Sequence, residues 1–190
     1  VKTAIFGGSF NPVHYGHLLI AREVVGIGYQ RILFIPAANP PHKILARGAD
    51  DADRISMLKL ALQDFPRAEL WEGEIYRAGL SHSIDTVREL RENGILDSRA
   101  GIIIGDDLAS DFSSWKEVPK LMDEVDIILA RRDMKREVEF GYPCLRLPNA
   151  PVPHSSSEIR WRIENGMSID GLVPFPVAEY IGRNKLYGFA

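Results

Sequence analysis

Cysteine is nearly absent from this chain: Cys144 is the only one in 190 residues. A single thiol closes no intrachain disulfide and builds no thiolate zinc site. The expected compartment is therefore reducing, that is, cytoplasmic. Cys144 also lies in the stretch Tyr142-Pro143-Cys144-Leu145, with no histidine nearby to activate it, which disfavours a nucleophilic role. There is no run of about 18 apolar residues, so no membrane helix is expected. Val1-Lys2-Thr3-Ala4-Ile5-Phe6 reads as a buried strand rather than a signal peptide. Basic excess is missing as well. With 23 Lys and Arg against 26 Asp and Glu, the formal charge is −3, which leaves no broad electrostatic grip on nucleic acid. Internal repeats and low-complexity segments are absent. So is the Gly-x4-Gly-Lys-Ser/Thr phosphate loop. Gly26-Ile27-Gly28 lacks a third glycine because position 31 is arginine, and it follows a helix pattern, which disfavours a dinucleotide oxidoreductase.

What remains is ordinary globular composition, 45% apolar and 26% charged, sufficient for one domain with a real core. Apolar bursts alternate with amphipathic stretches. Residues 3–6, 31–36, 68–75, 102–104 and 125–130 read as buried strands. Residues 15–26, 52–65, 83–93 and 155–165 read as helices, and 177–183 as a last amphipathic piece. Asp50 or Asp51 can cap the second helix and Ser83 the third, which Gly94 stops; a serine opens the helix at 155 and Gly166 ends it. This alternation predicts an α/β fold: a Rossmann-like, doubly wound parallel sheet with helices on both faces. In such folds ligands gather beyond the carboxyl ends of the strands, where the strand order reverses. The segments following the predicted strands carry Gly7 to His17, Asn39-Pro40-Pro41-His42-Lys43, Ser81-His82-Ser83, Gly105-Asp106-Asp107 and Arg131-Arg132. They thus collect four of the five histidines on one edge.

The first of these segments is the most informative. Gly7 and Gly8 let backbone N–H groups approach a phosphate closely, and the positive end of the next helix points the same way. His14 and His17, three residues apart, share a helix face and can both donate to phosphoryl oxygens. A zinc site would need a third ligand from elsewhere and would leave the glycines unexplained, so no protein-held metal is expected.

The string Gly7-Gly8-Ser9-Phe10-Asn11-Pro12-Val13-His14-Tyr15-Gly16-His17 resembles the signature of the His-x-Gly-His nucleotidyltransferases. Pro40-Pro41-His42-Lys43, Ser81 to Thr86, Ile104-Gly105-Asp106-Asp107, Trp115, Ser155 to Arg160, Tyr180-Ile181 and Leu186-Tyr187-Gly188 narrow the resemblance. Together they resemble the bacterial nicotinate-nucleotide adenylyltransferases, in the same order from about Lys2 to Gly188. The resemblance implies one nucleotidyltransferase domain over 1–190, with a helical part from about 155 completing the ATP site. It implies that ATP and nicotinate mononucleotide give deamido-NAD and pyrophosphate, with Mg2+ carried mainly on the ATP phosphates. It implies His14 and His17 as catalytic residues. Gly7, Gly8, Ser9, Phe10, Gly105, Asp107, Ser156, Ser157 and Arg160 would bind ATP. Lys43, Ser83, Trp115 and Lys116 would bind the nicotinate nucleotide, with Trp115 stacked on the pyridine ring and N–H groups near Ser83 and Lys116 reading the carboxylate.

Each of these residues also has a purely structural reading. Trp115 can be a packing residue, Ser156 and Ser157 a helix cap, Arg160 and Lys43 solvated charges. Trp71 and Trp161 read as packing residues, His154 as structural or exposed, and Asp106 as facing solvent. Arg131-Arg132 reads as a strand cap, with phosphate contact a weaker option. The chain departs from the family pattern at His82-Ser83, where Tyr-Thr is common, at Asp106, and at Arg132-Asp133-Met134, where Arg-Pro-Gly is common. The first change touches the nicotinate end. Rival readings are an adenylyltransferase for nicotinamide mononucleotide or phosphopantetheine, and a nucleotide-binding sensor without catalysis. The sequence leaves self-association open.

Overall fold

The computed structural model describes residues 1–38, 48–77, 80–132, 138–151 and 153–189. Six parallel strands form one sheet: β1 (Thr3–Gly8), β2 (Arg31–Pro36), β3 (Ala68–Leu70), β4 (Ala100–Gly105), β5 (Val125–Ala130) and β6 (Leu145–Arg146). Their spatial order is β3-β2-β1-β4-β5-β6. The order reverses between β1 and β4, whose pairing runs through Ala4↔Gly101 and Ile5↔Ile102. The helices are α1 (Tyr15–Gly26), α2 (Asp51–Leu62), α3 (Gly73–Tyr76), α4 (Ser83–Glu92), α5 (Val118–Glu124), α6 (Ser156–Glu164) and α7 (Phe175–Arg183).

Strand geometry sends successive side chains to opposite faces, and both faces of this sheet are buried. Ala4, Phe6, Ile32, Phe34, Ile103 and Ile128 join residues of α1, α2, α6 and α7 in one core. Their chain neighbours Ile5, Leu33, Ile35, Ile102, Ile104, Ile127 and Leu129 join α4 and α5 in the other. The expected doubly wound fold is therefore the observed one. Each fully buried aliphatic side chain contributes about 1.5–3 kcal/mol, so this two-sided core, not the polar loops, holds the sheet edge rigid. No helix among the described residues is long and apolar enough to cross a membrane.

Three expectations need correction. The strand expected over 68–75 ends at Leu70, and the helix α3 follows it. Ser83 does not cap α4: the N-cap is His82, which makes no side-chain cap bond, while its backbone carbonyl accepts from Asp85 and Thr86. A sixth strand, Leu145–Arg146, extends the sheet beyond β5. The α2 cap is Asp50, whose carboxylate accepts the Asp53 N–H at 2.8 Å.

Candidate active site

The loop after β1 enters α1 through His14, the N-cap, in extended conformation. The His14 N–H donates to Nδ1 of His17 at 3.2 Å. That bond places the proton of a neutral His17 ring on Nε2, the nitrogen that can donate onward. The two imidazoles stack with centroids 3.7 Å apart, and the Phe10 ring stands edge-on to His17 at 4.9 Å. Phe10 is itself buried and lies under Gly8, where a Cβ would meet its ring at 3.1 Å. A side chain at position 8 would press on the ring that supports His17, which must then give by a few tenths of an ångström.

His14 is only 2% exposed, yet neither of its ring nitrogens has a hydrogen-bond partner among the described residues. Burial, then the charge of Arg132, then that of His154, hold its pKa down to about 3 from the usual 6.5. The ring is therefore neutral at physiological pH. A buried, unpaired polar ring costs stability, which is a reason to expect a ligand that satisfies it.

The rest of the loop is held from behind by donors that clasp its carbonyl oxygens. Arg54 Nη1 donates to Ser9 O at 2.8 Å, Arg160 Nη1 to Asn11 O at 2.6 Å and Ser156 Oγ to Pro12 O at 2.9 Å. The Tyr187 hydroxyl donates to Asn11 Oδ1 at 2.5 Å. In a planar amide the N–H lies opposite the C=O. Drawing the Ser9 and Pro12 carbonyls backward therefore turns the N–H groups of Phe10 and Val13 away from the donors. The Asn11–Pro12 peptide is cis. Arg160 Nη2 also donates to Ser157 Oγ at 3.1 Å, and Ser155 caps α6 through the Glu158 N–H. Ser156, Ser157 and Arg160 thus join the first loop, and two of them grip its backbone.

Asn11, Arg54 and Tyr187 were not singled out individually from the sequence. Burial of the phenol raises the Tyr187 pKa, which keeps it a donor. Tyr187→Phe is expected to cost about 1 kcal/mol and to raise KM for ATP; urea unfolding and initial rates check this.

At the end of β4, Asp106 is buried rather than facing solvent as expected. Its Oδ1 accepts the backbone N–H of Arg132 at 2.8 Å, joining the ends of β4 and β5. Arg132 Nη1 pairs with Asp107 Oδ2 at 3.2 Å. This pair lies over Gly105, where a Cβ would meet Asp107 Oδ1 at 2.1 Å and Arg132 Cδ at 2.7 Å and displace both side chains. Asn149 clamps the neighbouring residue, accepting from Arg131 N at 3.0 Å and donating to Arg131 O at 2.9 Å.

Trp115 is half-buried, 5.0 Å from the Phe112 ring. Lys116 Nζ contacts both Asp85 oxygens at 2.9 and 2.8 Å, which draws Trp115, Lys116 and the Ser83 end of α4 together. Trp71 packs against the second core, as expected. Trp161, expected to pack, is 54% exposed, because the buried side of α6 is taken by Ile159 and Ile163. His154 is half-buried. Lys43 and His42 lie outside the described residues.

A cytidylyltransferase-like family model matches residues 5–162. A protein of Borreliella afzelii named "Probable nicotinate-nucleotide adenylyltransferase" is 37% identical over 188 residues, covering 98% of this chain and 97% of that one. A protein of the same name from Treponema pallidum is 35% identical over 202 residues, covering 98% and 99%. Among solved structures, the Plasmodium falciparum nicotinic acid mononucleotide adenylyltransferase complexed with NaAD superposes with a TM-score of 0.82. It is 21% identical, with 100% of this chain and 98% of that one covered. With the family model, the full-length relatives and the fold in agreement, the chain belongs to the cytidylyltransferase-like family and, within it, to the nicotinate-nucleotide adenylyltransferases.

Proposed function

We propose that the chain transfers the adenylyl group of ATP to nicotinate mononucleotide, releasing pyrophosphate and forming deamido-NAD. The observation that carries this reading is His14, a buried neutral imidazole with unsatisfied nitrogens at the amino end of α1. A phosphate oxygen of the acceptor attacks the α-phosphorus of ATP, the bond to the bridging α,β oxygen breaks, and the electron pair leaves with pyrophosphate. Such a reaction asks mainly for alignment and charge stabilisation. His14 and His17 donate to the departing oxygens, while the turned-out N–H groups of the loop and the first turn of α1 hold the phosphates. Gly7, Gly8, Ser9 and Phe10 supply the cradle. Ser156, Ser157 and Arg160 fix its shape and add charge. Asp107, beside Gly105, accepts ribose hydroxyls.

At the acceptor end, Ser83, Trp115 and Lys116 bind the nicotinate nucleotide, and the first N–H groups of α4 read its carboxylate. Asp85 in that first turn would repel an anion, but Lys116 offsets its charge. Donors of this kind favour a carboxylate over a carboxamide. Lys43 is proposed to approach the acceptor phosphate. Magnesium, when bound, neutralises phosphate charge. It would be carried mainly on phosphate oxygens and water. The single cysteine fits a cytoplasmic setting.

Pyrophosphate release should be measured with ATP and each of nicotinate mononucleotide, nicotinamide mononucleotide and phosphopantetheine. The nicotinate nucleotide is expected to give the highest kcat/KM by about tenfold or more. Its losing by a wide margin would reject the acceptor, and ATP binding without pyrophosphate from any acceptor would indicate a sensor. Trp115→Ala should raise KM for the acceptor and leave that for ATP nearly unchanged.

A further inference from the structure

We propose that Arg132 is a phosphate-contacting residue that changes partner on binding, passing from Asp107 to the polyphosphate as the ribose hydroxyls take over Asp107. This rests on the reading above for where ATP lies.

Four observations carry it. The backbone of Arg132 is fixed, its N–H on Asp106 and its neighbour Arg131 held at both N–H and C=O by the buried Asn149. The side chain therefore leaves the end of β5 in a set direction. It crosses the end of β4 over Gly105, where the missing Cβ makes room for it. There it meets an exposed partner: the Asp107 side chain is 48% accessible and that of Arg132 29%. Ion pairs so open to water are weak and exchange readily. Finally, Arg132 follows β5 as His14 follows β1, so both leave the carboxyl edge of one parallel sheet, and the charge of Arg132 acts on the His14 ring.

Each group gains from the exchange. A guanidinium prefers a polyphosphate, with several charges and paired oxygens, to one solvated carboxylate. Asp107, relieved of the cation, can accept two ribose hydroxyls. Ribose occupancy and phosphate grip are then coupled, and a polyphosphate lacking a ribose must compete with Asp107 for Arg132. Asn149 is a positioning residue in this scheme because it acts only through the direction it imposes on β5.

The test is a double-mutant cycle read by calorimetry with inorganic tripolyphosphate, which has no ribose, on the full chain. Arg132→Gln is expected to weaken binding roughly tenfold. Asp107→Asn is expected to strengthen it by about two- to fivefold, the size of one released surface pair. In Arg132→Gln/Asp107→Asn that gain should vanish, because no cation is left to release. Arg132→Lys, which keeps the charge without the fork, should fall between wild type and Arg132→Gln. Wild-type affinity in Arg132→Gln would overturn the proposal. So would an Asp107→Asn gain that persists undiminished in the double variant, since that is the signature of mere charge removal. Thermal melts establish that each variant is folded. The cycle involves no acceptor, so failure of the pyrophosphate assay with every acceptor would reject the reaction and leave the Arg132 result to stand or fall on its own.

Discussion

His14→Ala is expected to lower kcat by roughly 10²–10³-fold while the protein stays folded. His14 caps α1 through its backbone, and alanine keeps that backbone. What would be lost is the proposed donor from a buried ring, and a hydrogen bond to developing negative charge is strongest where water is excluded. His17→Ala should also reduce turnover, with a different accompaniment. His17 Nδ1 accepts the His14 N–H, so its loss should additionally cost about 1 kcal/mol of stability. Steady-state pyrophosphate release, with circular dichroism and urea unfolding on the same samples, separates the two. Wild-type turnover in either variant would remove that histidine from the chemistry.

The same ring makes the protein acid-sensitive in a defined window. The folded state holds the His14 pKa at about 3, against 6.5 for the ordinary ring. Between these values the unfolded chain takes up a proton that the native state refuses. The contribution to stability is thus complete above pH 6.5, falls by about 1.4 kcal/mol per pH unit as the pH drops, and is gone near pH 3. His14→Leu should lose that part of the slope. Its unfolding free energy, compared with wild type by urea titration at pH 7 and pH 4.5, should show the difference shifting by a few kcal/mol in favour of the variant. The variant should be inactive at both. Parallel curves for the two proteins would show that His14 is not held neutral by the fold.

Both expectations come from residues legible in the sequence, but their reasons were not. Strand–helix alternation and the glycine-rich segment with His14 and His17 suffice for the fold class and for the sheet edge on which the polar loops gather. Strand β6 was invisible because it has two residues, Leu145 and Arg146, both exposed, and two residues carry no period. The helix α3 was hidden inside the strand read over 68–75, where Gly73 opens a helix of only four residues, too short to show a period. Asp106 was misread because a carboxylate is ordinarily solvated, and its partner is a backbone N–H 26 residues away. The donors behind the first loop were beyond reach for the same reason. Arg54, Ser156 and Arg160 find its carbonyls across separations of 45, 144 and 149 residues.

The longest of these links, Asn11 to Tyr187, spans 176 positions. During synthesis, the histidine-bearing segment therefore emerges 176 residues ahead of the tyrosine that closes this contact. Closing so large a loop costs more chain entropy than closing a local one. A nascent polypeptide caught short of that tyrosine would carry every letter of the nucleotide signature and still lack one of the donors that hold it in shape.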